Sequence, residues 1–416
     1  MLIENLKKSF GYLIVLAKWI VLSVIVGCLG GVVGSTFHIL IDKATELRGE
    51  YKFILYFLPL GGLLIALIYR LAKNKGAIDT NRVIESAREN KEIPLIMVPL
   101  IYVSTIITHF FGGSAGREGA ALQLGGSIGY NTGKLLRLDK KNMHIIIMTG
   151  MAAVFSALFG TPVTAAVFSV EVITVGAFYY ASFVPCVISG VTAYMISGLF
   201  GLEGVRFLNV PVENLTVLSI SKVLVLAVLC AMLSIVFCVS IKKCEHIMEK
   251  LFKNTFIRAF TGGAVIVILS ILLKTYDYNG AGMDVITCAI NGDAKIEAFI
   301  LKILFTAITI SAGFKGGEIV PAFFVGSTFA CIIAPLLNLN PSFAAAIGFV
   351  ALFCGVVNCP VASIILSIEI FGAEGIVFFA IACAVCYLMS GSFGLYKKQK
   401  ILYSKFDDGY IDEFTK

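Results

Sequence analysis

The chain has 416 residues, of which 58% are hydrophobic and only 14% charged, and its formal net charge is +7. A soluble globular domain carries about 25% charged residues, so this composition excludes that class of protein. Because basic residues accumulate in the cytoplasmic loops of membrane proteins, we attribute the positive charge to topology and predict no nucleic-acid partner.

Apolar runs long enough to cross a hydrocarbon layer of about 30 Å recur along the chain. Clear runs lie near Tyr12–Gly34, Phe53–Leu71, Ile93–Phe111, Val217–Ile241, Phe260–Leu273 and Ile300–Ala312. We therefore expect an all-α polytopic protein in a lipid bilayer, with no separate soluble domain and no cleaved signal peptide. The eleven cysteines lie mostly in apolar runs, so we expect no disulfide framework, no metal site and no cofactor.

Basic and acidic segments alternate between these runs. Basic clusters lie at Lys7–Lys8, Arg70–Lys91, Lys134–Lys141, Lys242–Lys253 and Lys397–Lys400, whereas Leu202–Glu213 and Tyr276–Asp293 are neutral to acidic. The positive-inside rule then predicts that both termini are cytoplasmic, in a plasma membrane of the bacterial type.

A single glutamate, Glu118, lies in the glycine-rich string from Gly112 to Ala120, between two apolar stretches. A carboxylate at bilayer depth costs a few kcal/mol or more, so it usually has a function there. The glycines predict non-helical backbone before a helix start, which is tolerated in a bilayer only beside a cavity or packed in protein. The free N–H groups of such a helix start attract anions. The alternative is a structural glutamate that caps its helix or pairs with Arg117.

The chain also repeats itself. The string from Thr161 to Val172 returns from Cys359 to Ile370, with Pro, Val, Ser and Glu in register. Upstream, Gly116–Ala120 is echoed by Gly317–Pro321, and Gly125 by Gly326. We therefore divide the chain into two homologous halves, residues 1–205 and 206–416, the second ending in a short cytoplasmic segment.

The broken segments occupy corresponding places in the two halves. Gly112–Gly119 and Gly313–Pro321 each precede a helix that should begin near Glu118 or Pro321. Weak internal symmetry with interrupted helices is typical of secondary transporters, whose site lies at the repeat interface. We expect the two helix N-termini to face one buried anion, with the Glu118 acid beside it.

These residues resemble the CLC family of chloride channels and anion/proton antiporters over nearly the whole chain. Gly116-Arg117-Glu118-Gly119 is similar to the family's GREGP signature, and Gly317–Pro321 lies where the family has GxFxP. The resemblance implies that Glu118 is the external gate and proton carrier, that Tyr396 closes the inner side of the anion site, and that the protein is a homodimer with inverted-topology halves. The anion-binding residues it implies are Ala77, Ile78, Gly116, Arg117, Gly119, Ile319, Val320 and Tyr396.

Departures from the chloride-type pattern favour fluoride over chloride as the transported halide. The Lys75–Asn81 stretch lacks the serine of the chloride-type GSGIP motif, and Gly313–Glu318 resembles the fluoride-exporting branch. Val172 lies where many exchangers have a second, intracellular glutamate, so Glu318 is a candidate for the proton path. Against fluoride, Val320 stands where that branch often has threonine, and no central Asn or Met is evident.

Three function classes remain open at this point: an anion/proton exchanger, a passive anion channel and an intramembrane enzyme. The last is disfavoured because Ala115, not glycine, follows Ser114, and no histidine follows His246. We predict structural roles for Glu171 and Glu369, which bind backbone N–H groups at helix ends. Lys222 and Lys302 are expected to snorkel or to pair.

Overall fold

The computed structural model describes the backbone of residues 2–72 and 79–416 and the side chains of residues 11–72 and 79–416. Within these ranges the chain forms sixteen α-helices, two short 3-10 turns and three short strands. The helices are α1 Leu2–Glu50, α2 Leu58–Leu71, α3 Thr80–Glu89, α4 Met97–Phe111, α5 Glu118–Leu135, α6 Lys140–Phe159, α7 Pro162–Glu171, α8 Tyr180–Leu199, α9 Val217–Leu251, α10 Thr255–Leu273, α11 Met283–Ile290, α12 Ala298–Ser311, α13 Ile319–Ile333, α14 Pro341–Val357, α15 Pro360–Phe371 and α16 Ile376–Met389.

Seven helical segments of the described chain are long and apolar enough to cross a membrane, which confirms the all-α membrane fold. They are Gly11–Glu50, Lys52–Leu71, Lys140–Phe159, Tyr180–Leu199, Val217–Leu251, Thr255–Leu273 and Ile319–Leu337. Between them lie helices of only 10–17 residues, among them α4, α7, α12 and α15. These reach only part of the way through a hydrocarbon layer of about 30 Å, so the bundle contains broken helices.

Two of the runs expected to span are among these shorter helices, which corrects the prediction. The Ile93–Phe111 run becomes helical only at Met97, because a residue before proline, as Ile93 is before Pro94, disfavours the α conformation. The Ile300–Ala312 run ends as α12 at Ser311, close to Gly313, whose φ is +100°. Such a φ is in the left-handed region that glycine adopts without strain.

Glycines set the packing of the buried helices in both halves. A Cβ on Gly125 would overlap the carbonyl oxygen of Gly150, so α5 and α6 meet backbone to backbone. The same contact joins Gly326 of α13 to Gly348 of α14. Most residues of α6 and α14 are buried, and the two helix pairs α5–α6 and α13–α14 form the centre of the protein.

The repeated glutamates have the structural role that the sequence predicts. Each carboxylate, at the end of its own helix, accepts two backbone hydrogen bonds from the first turn of the corresponding helix in the other half. Glu369 accepts from Val163 N at 3.1 Å and Thr164 N at 2.8 Å. Glu171 accepts from Val361 N at 3.1 Å and Ala362 N at 2.8 Å. Helices α7 and α15 are thus joined reciprocally.

Replacing Glu369 with alanine is expected to destabilise the protein, because it leaves these two N–H groups at the start of α7 without an acceptor. A hydrogen bond to a charged group contributes about 1.5–3 kcal/mol, so we expect a clear fall in the thermal unfolding midpoint in detergent. Glu171→Ala should cause a similar fall. Glu374→Ala, which removes an exposed carboxylate three residues beyond the end of α15, is the matched control. Equal midpoints for all three variants would contradict the assignment.

Three of the basic segments meet through side-chain contacts of Lys397 and Lys398. Lys397 pairs with Glu245, Lys398 Nζ lies 3.7 Å from Glu85, and the Lys398 amide donates to Asn81 at 3.1 Å. We call this the basic face. A small sheet lies near it, in which β1 Thr174–Val175 pairs parallel with β2 Lys400–Tyr403 and β2 pairs antiparallel with β3 Tyr410–Phe414.

Candidate functional site

The two glycine-rich segments meet in the centre of the protein. Gly116 N donates to Gly317 O, and Gly317 N donates to Gly116 O, both at 2.7 Å. This pair is an isolated antiparallel bridge between the two halves. The expected convergence of the segments is therefore confirmed.

The bridge brings two helix N-termini together. Helix α5 begins at Glu118 and α13 begins at Ile319, two residues earlier than the expected start at Pro321. A Cβ on Gly317 would overlap Gly119 N and lie only 3.2 Å from Glu118 N, so only glycine permits this approach. The N-terminal N–H groups of both helices carry partial positive charge, and together they make a buried region that favours an anion.

Two threonines fix the register of the bridge. Thr309 Oγ1 accepts from Ser114 N at 3.1 Å, and Thr108 Oγ1 accepts from Lys315 N at 3.1 Å. Each half therefore anchors the glycine-rich segment of the other. The sequence analysis missed both residues, although their separation along the chain equals that of Gly116 and Gly317.

Glu118 is buried, with 1% of its surface exposed. Its Oε2 accepts a hydrogen bond from Arg117 N at 2.9 Å and contacts Gly116 at the point where a Cβ would lie. That point is 3.1 Å from Val320 Cβ, so the carboxylate lies against the first turn of α13. Its Oε1 has no hydrogen-bond partner among the described residues. A purely structural role as a helix cap would therefore account for Oε2 only and not for Oε1.

Arg117 interacts mainly with another helix. Its guanidinium donates from Nη1 to Asp42 Oδ1 of α1 at 2.9 Å, whereas its Nε is 3.9 Å from Glu118 Oε1. The second oxygen of Asp42, Oδ2, lies 3.1 Å from His38 Nε2. Neither His38 nor Asp42 was singled out as a site residue from the sequence.

The remaining predicted site residues of the second half surround the bridge. Glu318 is the N-cap residue of α13, and its Oε2 lies 3.6 Å from the point where a Cβ on Gly119 would be, against the first turn of α5. Ile319 and Val320 are buried in the first turn of α13. Each of the two glutamates thus lies against the helix start of the opposite half.

Tyr396 is buried beyond α16, and its hydroxyl has no hydrogen-bond partner in the part of the chain that the structure describes. Its backbone carbonyl accepts from Gln399 N at 2.9 Å and from Thr415 Oγ1 at 2.6 Å, so residues next to the C-terminal strands hold this segment. The other two predicted residues, Ala77 and Ile78, lie outside the described residues. The nearest described residue of the site, Thr80, donates from Oγ1 to Gly119 O at 3.3 Å.

A cavity of about 500 Å³ opens onto Glu118. We call it the vestibule; its wall includes Val205 and part of the Tyr276–Asp293 segment, so it opens towards the neutral-to-acidic loops. It is lined by Ile41, Asp42, Thr45, Glu46, Arg48, Gly49, Lys52, Leu55, His109, Arg117, Glu118, Phe159, Val205, Tyr276, Asp277, Asn279, Ala281, Gly282, Met283, Asp284, Val285 and Val320.

Two basic side chains lie beside the vestibule, the buried Lys302 and the partly buried Arg48. Lys302 has no exposed surface and donates to the carbonyl oxygens of Gly280 at 2.7 Å and Tyr278 at 3.3 Å, so it does not snorkel as predicted. Arg48 donates to the His109 carbonyl and packs against Gly280. Neither pairs with a carboxylate among the described residues, and of the two only Arg48 lines the vestibule. Lys222 instead donates to Asn338 O at 2.6 Å.

No group of histidine, cysteine, aspartate and glutamate residues with metal-binding geometry occurs in residues 11–72 and 79–416. The eleven cysteines are free thiols, including the buried Cys383 and Cys386. Buried cysteines without basic neighbours behave as small hydrophobic residues.

The arrangement of broken helices that meet N-terminus to N-terminus at a buried carboxylate is typical of ion transport proteins built from inverted repeats. The family model described as voltage gated chloride channel matches residues 61–391. The chain is 32% identical to a chloride/fluoride channel protein of Pseudomonas syringae pv. tomato, over 94% of this chain and 88% of that one. It belongs to the voltage gated chloride channel family, the CLC family.

Other relatives show the same fold. An H(+)/Cl(-) exchange transporter of Vibrio vulnificus is 26% identical over 84% of this chain and 81% of its own length. The crystal structure of a CLC-type fluoride/proton antiporter superposes with a TM-score of 0.88 at 32% identity, covering 93% of this chain and 98% of that chain. A slow cyanobacterial Cl-/H+ antiporter gives a TM-score of 0.76 at 20% identity, covering 90% of this chain and 94% of that one.

Proposed function

We propose that this protein carries a halide across the membrane in exchange for protons, and that fluoride is the preferred halide. The observation that carries the proposal is the position of the Glu118 carboxylate. It lies between the start of its own helix and the first turn of α13, where a transported anion would also be stabilised. A side chain that competes with the anion for one place, and that can leave when protonated, couples the two movements.

The mechanism follows from this competition. With Glu118 unprotonated, its carboxylate holds the anion's place and closes the route from the vestibule. A proton arriving on Oε1, the oxygen without a donor, neutralises the side chain and weakens its attraction to the helix N-termini. An anion then enters. Once the anion has departed and the proton has left Glu118 on the side opposite its entry, the carboxylate returns. Partial charges on backbone N–H groups bind the anion weakly enough to release it.

Several observations support fluoride. Fluoride is small and strongly hydrated, so its binding needs close backbone approach, and glycines at Gly116, Gly119 and Gly317 bring the two backbones into contact. The fluoride/proton antiporter and the Pseudomonas chloride/fluoride channel protein are each 32% identical to this chain, whereas the Vibrio chloride exchanger is 26% identical. The Vibrio relative supports the second candidate, chloride/proton exchange on the same site.

We assign Glu318 to the proton path on the other side of the bridge. Its carboxylate approaches the start of α5 as that of Glu118 approaches the start of α13, and the two side chains flank the Gly116–Gly317 bridge. Tyr396, with its free buried hydroxyl, and the first-turn residues Gly119, Ile319 and Val320 complete the anion site. In this scheme Arg117 keeps a positive charge at the vestibule side.

The assembly and topology are also proposals. We propose two homologous halves, residues 1–205 and 206–416, in a homodimer with one pathway per subunit. Helices α8 and α15 carry exposed apolar side chains such as Val184, Met195 and Val361, which a second copy or lipid would cover. The basic face, which includes the C-terminal segment, is placed in the cytoplasm by the positive-inside rule. The vestibule then faces the outside.

Ion efflux from liposomes tests the substrate and the coupling together. Purified protein is reconstituted in liposomes loaded with either fluoride or chloride, and efflux is followed with ion-selective electrodes while a pH probe records proton movement. We expect fluoride to leave faster than chloride, and a proton gradient to drive fluoride uphill. Equal rates for the two halides would overturn the fluoride assignment, and a reversal potential independent of the pH gradient would indicate a channel.

A further inference from the structure

We propose that Asp42 is a positioning residue of the outer gate: it holds Arg117 away from the Glu118 carboxylate and so keeps Glu118 ready to accept a proton from the vestibule. The inference rests on the proposed role of Glu118. It assigns a function to a carboxylate on α1, a helix that lies outside the two glycine-rich segments in the sequence.

The geometry shows a competition for one guanidinium. Arg117 Nη1 donates to Asp42 Oδ1 at 2.9 Å, while Arg117 Nε stays 3.9 Å from Glu118 Oε1, beyond hydrogen-bond distance. Glu118 Oε1 consequently lacks a donor although it is fully buried. A direct Arg–carboxylate pair would be charge-assisted and frequently bidentate, and it would occupy this oxygen.

Asp42 is itself held in place. His38, one turn earlier on α1, lies with Nε2 at 3.1 Å from the second oxygen, Asp42 Oδ2. Asp42 therefore bridges His38 and Arg117, and its side chain is half exposed to the vestibule. The remaining titratable or charged groups of the vestibule wall are Glu46, Arg48, Lys52, His109, Tyr276, Asp277 and Asp284. None of these seven forms an ion pair with Arg117.

The consequence is a defined effect on proton entry. Without Asp42, the guanidinium is free to close on Glu118, and an opposite charge at contact distance shifts a carboxyl titration towards acid by about one to three pH units. We therefore expect Asp42→Asn to move the dependence of fluoride/proton exchange on outer pH towards acid by about one unit or more. At an outer pH above the midpoint, the exchange rate of Asp42→Asn should be about tenfold below that of the wild type for each pH unit of this shift.

The experiment measures fluoride efflux and proton uptake in liposomes over a series of outer pH values. Asp42→Glu should restore the wild-type profile, because it keeps a carboxylate for Arg117. Glu46→Gln removes an acid one turn further along α1 that pairs with no described residue, and it should leave the profile unchanged. In an Arg117→Leu background Asp42→Asn should have no further effect on the profile, since the two residues act through one contact.

Three outcomes would overturn the inference: an unchanged profile for Asp42→Asn, an equal shift for Glu46→Gln, or a full shift in the Arg117→Leu background. The second would show a general field of the vestibule acids, and the third an action of Asp42 without Arg117. The wild-type measurement keeps the two proposals separate. If the wild type does not exchange halide for protons, the proposed function is wrong. If the wild type does so and Asp42→Asn has the same pH profile, only the role of Asp42 is wrong.

Discussion

Glu118→Gln is expected to abolish proton coupling while leaving anion flux. Glutamine has nearly the same shape as glutamate, and its side-chain carbonyl oxygen can still accept from Arg117 N. Unlike the carboxyl group, its amide neither ionises nor releases a proton near neutral pH. The helix N-termini keep their partial charges, so the anion site remains. In liposomes, halide efflux should continue, and a proton gradient should no longer drive halide movement.

Glu318→Gln separates the two glutamates of the bridge. We expect it to slow proton transfer without opening a proton-independent anion path. The reason is that Glu318 lies against the first turn of α5, whereas Glu118 lies against the first turn of α13, where the anion is proposed to bind. Thermal unfolding of both variants should match the wild type, which excludes misfolding as the cause. Unchanged proton movement in Glu118→Gln would contradict the mechanism.

Gly317→Ala is expected to slow anion transport strongly while the protein still folds. The added Cβ overlaps Gly119 N, which is backbone and cannot move aside like the end of a flexible side chain. The two helix starts must separate, and overpacking of this kind costs about 1–3 kcal/mol. If that cost falls on the anion-bound state, efflux drops by about tenfold or more, since 1.4 kcal/mol in a barrier is about tenfold in rate.

The matched control is Gly198→Ala, near the end of α8, where no heavy atom lies within 4 Å of the added Cβ. This substitution should leave efflux and stability at wild-type values or raise stability slightly, because alanine is the better helix former. Efflux of Gly317→Ala at the wild-type rate, from folded protein, would show that contact between the two backbones is not needed for anion binding.

The role proposed for Glu118 rests on its position between two helix N-termini. Glu118 is the first residue of α5, so it lies beside N–H groups of its own helix. The bridge adds the first turn of α13 from the other half. A carboxylate between two helix starts has a favourable place when charged and loses part of that attraction when protonated. This is the physical basis of the proposal that the side chain alternates with an anion.

The sequence alone predicted the membrane fold, the repeat, the convergence of the two glycine-rich segments and the structural role of Glu171 and Glu369. These features depend on composition, on local backbone chemistry and on internal similarity, all of which are visible along one chain. The reciprocal threonine contacts of Thr108 and Thr309 were also encoded in the repeat. They were missed because threonines are common in apolar runs, and no sequence motif marks a threonine whose hydroxyl accepts a backbone hydrogen bond.

Tertiary structure decided what local patterns cannot express. The partner of Arg117 is Asp42, 75 residues away along the chain, so no motif connects them. The burial of Lys302 under the loop at Gly280 likewise depends on helices brought together from distant segments, whereas the sequence predicted a side chain that snorkels or pairs. Sequence determined which groups are available and where backbones can approach; the packing of helices determined which charges meet, because electrostatic contacts depend on distance in space and not along the chain.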